Sequence, residues 1–131
     1  MITEDYVSFE VAKLLKEKGF DEECIGAYSE TNHTIIKFEP NVKNSEVGTL
    51  MYSVPTLQMA MKWFRKVYNI MISPYAMSLG WYFDIFDLTK RDITGCNPLY
   101  KVGIPNKEDV LSTYEEAVEA AIKYYIKNML H

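Results

Sequence analysis

The sequence predicts an α+β domain: an antiparallel sheet with three helices, in the order α-ββ-α-ββ-α, the helices mainly on one face. Three observations predict it. Three segments repeat apolar residues at i, i+3 and i+4 and carry helix start or stop residues. Between them the apolar period falls towards two. The strand candidates are joined by short turns, which favours antiparallel pairing. The chain has 131 residues, 48% apolar and 24% charged, the balance of one globular domain over residues 1–131. That composition excludes a disordered chain, a collagen-like repeat and a disulfide-dense scaffold.

The first helix is expected from Ser8 to Lys18, with Ser8 as N-cap and Val11, Ala12, Leu14 and Leu15 as its buried stripe. Gly19 follows as a left-handed stop, and Phe20 can pack back on Leu15. Strands are expected at Cys24–Tyr28, Thr34–Glu39 and Thr49–Val54. Residues 39–48, EPNVKNSEVG, read as a mobile hairpin loop. The second helix lies in residues 54–70, opened by Pro55 and Thr56. Leu57, Ala60, Met61, Phe64, Val67 and Tyr68 form its core stripe. Asn69–Tyr75 and Trp81–Leu88 are the next strands, split by a turn near Ser78 and Gly80. Thr89 to Asp109 holds two glycines and two prolines, so loop with at most one short strand is expected. The third helix spans residues 113–130, where Thr113 and Glu116 form a capping box. After the first helix the chain thus reads as tandem strand–strand–helix units.

The formal charge is −4, which makes the whole molecule a poor attractor of nucleic acid. Residues 1–30, 31–107 and 108–131 carry −5, +4 and −3, so acidic ends flank a mildly basic middle. The start, MITEDYVSFE, holds carboxylates where a secretory signal needs a basic start and an apolar run. Cys24 and Cys96 make no disulfide framework, so a reducing cytoplasm with two free thiols is the expectation. Val67–Phe83 has 17 residues without charge, but its polar residues and length fall short of a membrane span.

No familiar catalytic constellation occurs in the sequence. The two histidines are His33, in a turn, and His131, at the end; Cys24 and His33 could meet only across a hairpin. No zinc spacing or glycine-rich phosphate loop occurs, so no cofactor, metal site or catalytic residue is assigned. Asp84 and Asp87 could hold Mg²⁺ for a metal-dependent hydrolase, yet residues three apart on a strand point to opposite faces. Lys62, Arg65 and Lys66 cover the face of the second helix opposite its core stripe. With Lys90 and Arg91 they are the candidate nucleic-acid contacts. Met59 and Trp63, four apart beside Lys66, form a second apolar strip. It reads as extra core with partial exposure; the functional alternative is a partner-binding or homodimer patch of Met59, Trp63 and Lys66. Trp81, Tyr82, Phe83 and Phe86 put aromatics on both faces of one strand, where core packing outweighs base stacking.

YVSFEVAKLLKEKGF (6–20), PTLQMAMKWFRKVYNI (55–70) and TYEEAVEAAIKYYIKNML (113–130) together resemble small uncharacterised proteins encoded by phages and prophages of gut bacteria, over about 49 residues. That group has no assigned activity, so the resemblance implies context and no chemistry. The expectation is a non-enzymatic phage accessory protein that binds a protein partner, such as a host component, in the bacterial cytoplasm without membrane association. Nucleic-acid binding is the alternative, and metal-dependent hydrolysis the third reading.

Overall fold

The computed structural model describes residues 2–89, 100–103 and 110–130. Its elements are α1 (Phe9–Glu17), β1 (Cys24–Ser29), β2 (Ile35–Val42), a 3₁₀ turn (Asn44–Glu46), β3 (Met51–Ser53), α2 (Leu57–Tyr68), β4 (Ile70–Met77), β5 (Gly80–Asp87), β6 (Tyr100–Gly103) and α3 (Tyr114–Tyr124), which a π-type turn extends to Met129. The class is α+β and every strand pairing is antiparallel. The strands are divided between two three-stranded sheets, ordered β2-β1-β3 and β4-β5-β6. The chain forms two compact units, residues 1–60 and 61–131; the boundary falls inside α2, which is one continuous helix.

The first unit opens on α1. The Ser8 hydroxyl accepts the Val11 N–H. Gly19 closes the helix at φ +92°, and the Phe20 N–H reaches back to the Leu15 carbonyl, satisfying an end carbonyl that would otherwise lack a donor. Val11, Ala12 and Leu15 are buried; Leu14 is only half-buried. The segment before α1 runs beside the start of α2: the Asp5 carbonyl accepts the Leu57 N–H and the Pro55 carbonyl accepts the Val7 N–H. The Thr56 hydroxyl caps α2 through the Met59 N–H.

Residues 39–48 depart from the expected mobile loop. β2 continues to Val42, and the Asn44 side chain is buried. Its amide donates to the Phe20 carbonyl and its oxygen accepts the Ser53 N–H, both at 2.8 Å. One side chain thereby pins the crossover that carries the chain from β2 to β3, on the far side of β1.

In the second unit β4 and β5 pair through eight consecutive positions, Ile70↔Asp87 to Met77↔Gly80. The Leu88 N–H bond to the Asn69 carbonyl sets the parity, so odd-numbered β4 residues bond β5. Pro74 falls on the outer edge, where its missing N–H is no loss and hinders strand addition. Ile70, Ile72, Phe83 and Ile85 are buried on one face, against which α3 packs through Tyr124 on Phe83. Thr113 caps α3 by accepting the Glu116 N–H, while the Glu116 carboxylate reaches the Ser112 N–H. Leu111 pairs with Trp81 in both directions, a bridge beside β5.

Candidate functional site

The residues singled out from the sequence gather mostly on α2. At about 100° per residue, Leu57, Ala60, Met61 and Phe64 share the inward arc, and all are buried. Lys62, Arg65 and Lys66 occupy the outward arc and are exposed. None of the three makes a hydrogen bond or ion pair with another described residue. Residues 57–68 contain no acidic side chain, so no carboxylate along the helix offsets these charges; Arg65 and Lys66 lie in its last turn, where the negative end of the helix dipole favours cations.

Trp63 is buried, with 7% of its surface exposed, and packs edge-on against Phe64 and Tyr68 with centroids 5.2 and 5.5 Å away. The strip of Met59, Trp63 and Lys66 is therefore split: the indole points inward, while Met59 and Lys66 remain exposed. Val67 departs from the expected core stripe. It is 50% exposed in the last turn of α2, which ends at Tyr68, so a periodic stripe runs on past the part of the helix that is covered. Lys90 and Arg91, like Cys96 and His131, lie outside the described residues.

A second cluster was not legible from the sequence. Phe9 stacks on His33, centroids 3.6 Å apart at 9°, and meets Tyr28 and Tyr52 edge-on. Lys13 pairs with Glu30 at 3.3 Å. Lys16 donates to the Gly48 and Met51 carbonyls, and both ammonium groups lie over the Tyr52 ring at 5.8 and 5.4 Å. The Tyr52 hydroxyl and the Lys13 ammonium hold the Glu30 carboxyl below its ordinary value, and the neighbouring carboxylate raises Tyr52. Desolvation lowers Lys16. These charges already have partners, so the cluster reads as a clasp holding α1 to the β1–β2 turn and to β3. Its contacting pairs lie 17 to 43 residues apart in sequence, and no local spacing signals them.

The remaining chemistry does not converge. Asp84 stands opposite Ser73 and Asp87 opposite Ile70 in a register without slips, which puts the two carboxylates on opposite faces of β5. Asp87 instead accepts the Thr89 N–H and hydroxyl at 2.9 and 2.6 Å. Cys24 pairs with Val42 at one end of the β1–β2 hairpin, and His33 sits in the turn at the other. The Cys24 thiol is buried and pushed up to about 11, mainly by desolvation, which keeps it protonated and unreactive. Among the described residues no three His, Cys, Asp or Glu side chains are grouped to hold a metal ion. No helix among them is long and apolar enough to cross a membrane. Phe83 and Trp81 pack against Tyr124 and Tyr114, while Tyr82 stacks on Tyr75 across the ladder.

No protein-family profile, curated protein or solved structure matches the chain.

Proposed function

We propose that this protein is a non-enzymatic binding module, a phage-derived accessory protein that engages a protein partner in the bacterial cytoplasm through the exposed face of α2. The observation that carries the reading is the cationic face itself: three exposed charges without partners among the described residues, on a helix without a carboxylate. The phage context rests on the resemblance of the three helical stretches. The test is site-specific photocrosslinking in bacterial cells, with a benzophenone side chain at Lys62 and a control at Glu22. A discrete crosslinked protein from position 62, absent from position 22 and lost in R65E/K66E, is the expected result. Position 62 giving no more adducts than position 22 would overturn the reading.

The same three cations favour nucleic-acid binding as a second reading, with Lys90 and Arg91 joining them from the sequence. It predicts a gel shift at low salt that falls steeply as salt rises.

A further inference from the structure

We infer that the α2 face takes an acidic protein segment, one presenting carboxylates and an apolar side chain together. This rests on the protein-binding reading above and names the chemistry of the partner. Lys62, Arg65 and Lys66 stand at i, i+3 and i+4, so their Cβ atoms form a triangle with edges of about 5–6 Å along the closer pairs. A triangle of that size matches carboxylates one helical turn apart on a partner segment. Met59, 37% exposed, lies three residues before Lys62 and seven before Lys66 on the same helix, at the margin of the charged arc. Arginine and methionine are both enriched where proteins meet, and Arg65 and Met59 supply that pair here, with the two lysines at the charged rim.

Charge supports the same choice. The chain carries −4 overall, so its long-range field repels an extended polyanion while the local field of α2 attracts a short one. The face from Met59 to Lys66 is about 10 Å long at 1.5 Å per residue, which suits a short segment of a partner.

A 12-residue random peptide display library, selected on the intact protein, tests the inference. Enriched peptides are expected to carry several Asp or Glu with an apolar residue at helical spacing. A fluorescent copy of the most enriched peptide is expected to bind K62E/R65E/K66E about tenfold or more weakly, since three exposed charge pairs are lost. K62Q/R65Q/K66Q should show an intermediate loss. The triple glutamate variant should keep the circular dichroism spectrum and urea midpoint of the wild type, which separates lost binding from lost folding. Peptides without acidic enrichment, or acidic ones indifferent to both variants, would overturn the inference. So would a mixed-sequence 20-nucleotide DNA that displaces the peptide from α2. A dimer in sedimentation that the triple variant abolishes would put a second copy on this face and equally overturn it. Should position 62 still crosslink a protein while the selected peptides lack acid, this inference fails alone; should position 62 crosslink nothing, the binding reading fails with it.

Discussion

In residues 1–60 the sheet is short and irregular: β1 meets β2 with a register shift between Cys24 and Gly26, and β3 contributes only three pairs. In residues 61–131 the β4–β5 ladder runs through eight positions without a slip. The two units are accordingly held by different means. The first relies on polar side chains bonded to distant backbone: Asn44 to Phe20 and Ser53, Lys16 to Gly48 and Met51, and Tyr28 to Val7. The second relies on ladder hydrogen bonds and on rings, with Trp63, Phe64, Tyr68 and Tyr125 packed at centroid distances of 5.2–5.9 Å. A regular ladder satisfies its own backbone groups; an irregular one needs side chains to do it.

Substitutions can break that contrast. Trp63→Ala removes a buried ring from the second unit, and a loss of about 3–5 kcal/mol in urea unfolding is expected. A loss under about 1 kcal/mol would mean that the rings fill space without holding it. Asn44→Ala strikes the first unit instead. It strands the Phe20 carbonyl and the Ser53 N–H, for an expected cost of about 2–4 kcal/mol. Hydrogen exchange should then quicken at Ser53 more than at the β4–β5 amides. Uniform quickening in both would break the comparison.

The same contrast explains how much was legible in the sequence. Gly19, Thr113 and the period-two runs of β4 and β5 act locally, so helix ends and hairpin strands follow from residues within a few positions. Asn44 carries no such signal: in EPNVKNSEVG an asparagine looks like turn chemistry, and its partners lie 24 and 9 residues away. Val67 fits the helical period, yet the period cannot say where the covering structure ends. The cations of α2 were legible because they break the apolar stripe. Trp63 was ambiguous for the same reason, since a residue at the margin of a stripe is assigned only by what packs beside it.

Gly26→Ala and Gly80→Ala sharpen the comparison at the next level. A Cβ on Gly26 would stand 2.5 Å from the Ile36 carbonyl oxygen, which is backbone of the neighbouring strand. A Cβ on Gly80, at φ +149°, would meet Val110 Cγ1 at 2.5 Å and the Leu111 carbonyl oxygen at 2.7 Å. Each is expected to cost about 1–3 kcal/mol in thermal or urea unfolding. Gly26→Ala should disturb the amides of β1 and β2, and Gly80→Ala those of β5 and the Leu111 bridge. A neutral Gly26→Ala would show that the first sheet yields where it is already irregular.

Asp21 gives the smallest expected effect and the one with a defined pH sign. Its carboxylate accepts the Ser45 N–H at 2.7 Å, and this bond, aided by the charge of Lys43, holds the group below the ordinary carboxylate value. A folded pKa below the unfolded one means that folding favours the ionised form. The contribution is therefore full above the unfolded value of about 3.9 and is lost as pH falls through the lower folded value. Asp21→Asn retains an acceptor oxygen without the charge, so it should lower the urea midpoint slightly at pH 6. As pH falls below the unfolded value and the wild-type carboxyl takes up its proton, the gap between the two proteins should narrow. Because Asp21 is exposed, the difference should be a small shift of the midpoint. A gap that keeps its size as pH falls would show that the Ser45 bond acts through geometry alone, and that charge adds nothing to the polar links which distinguish the first unit from the second.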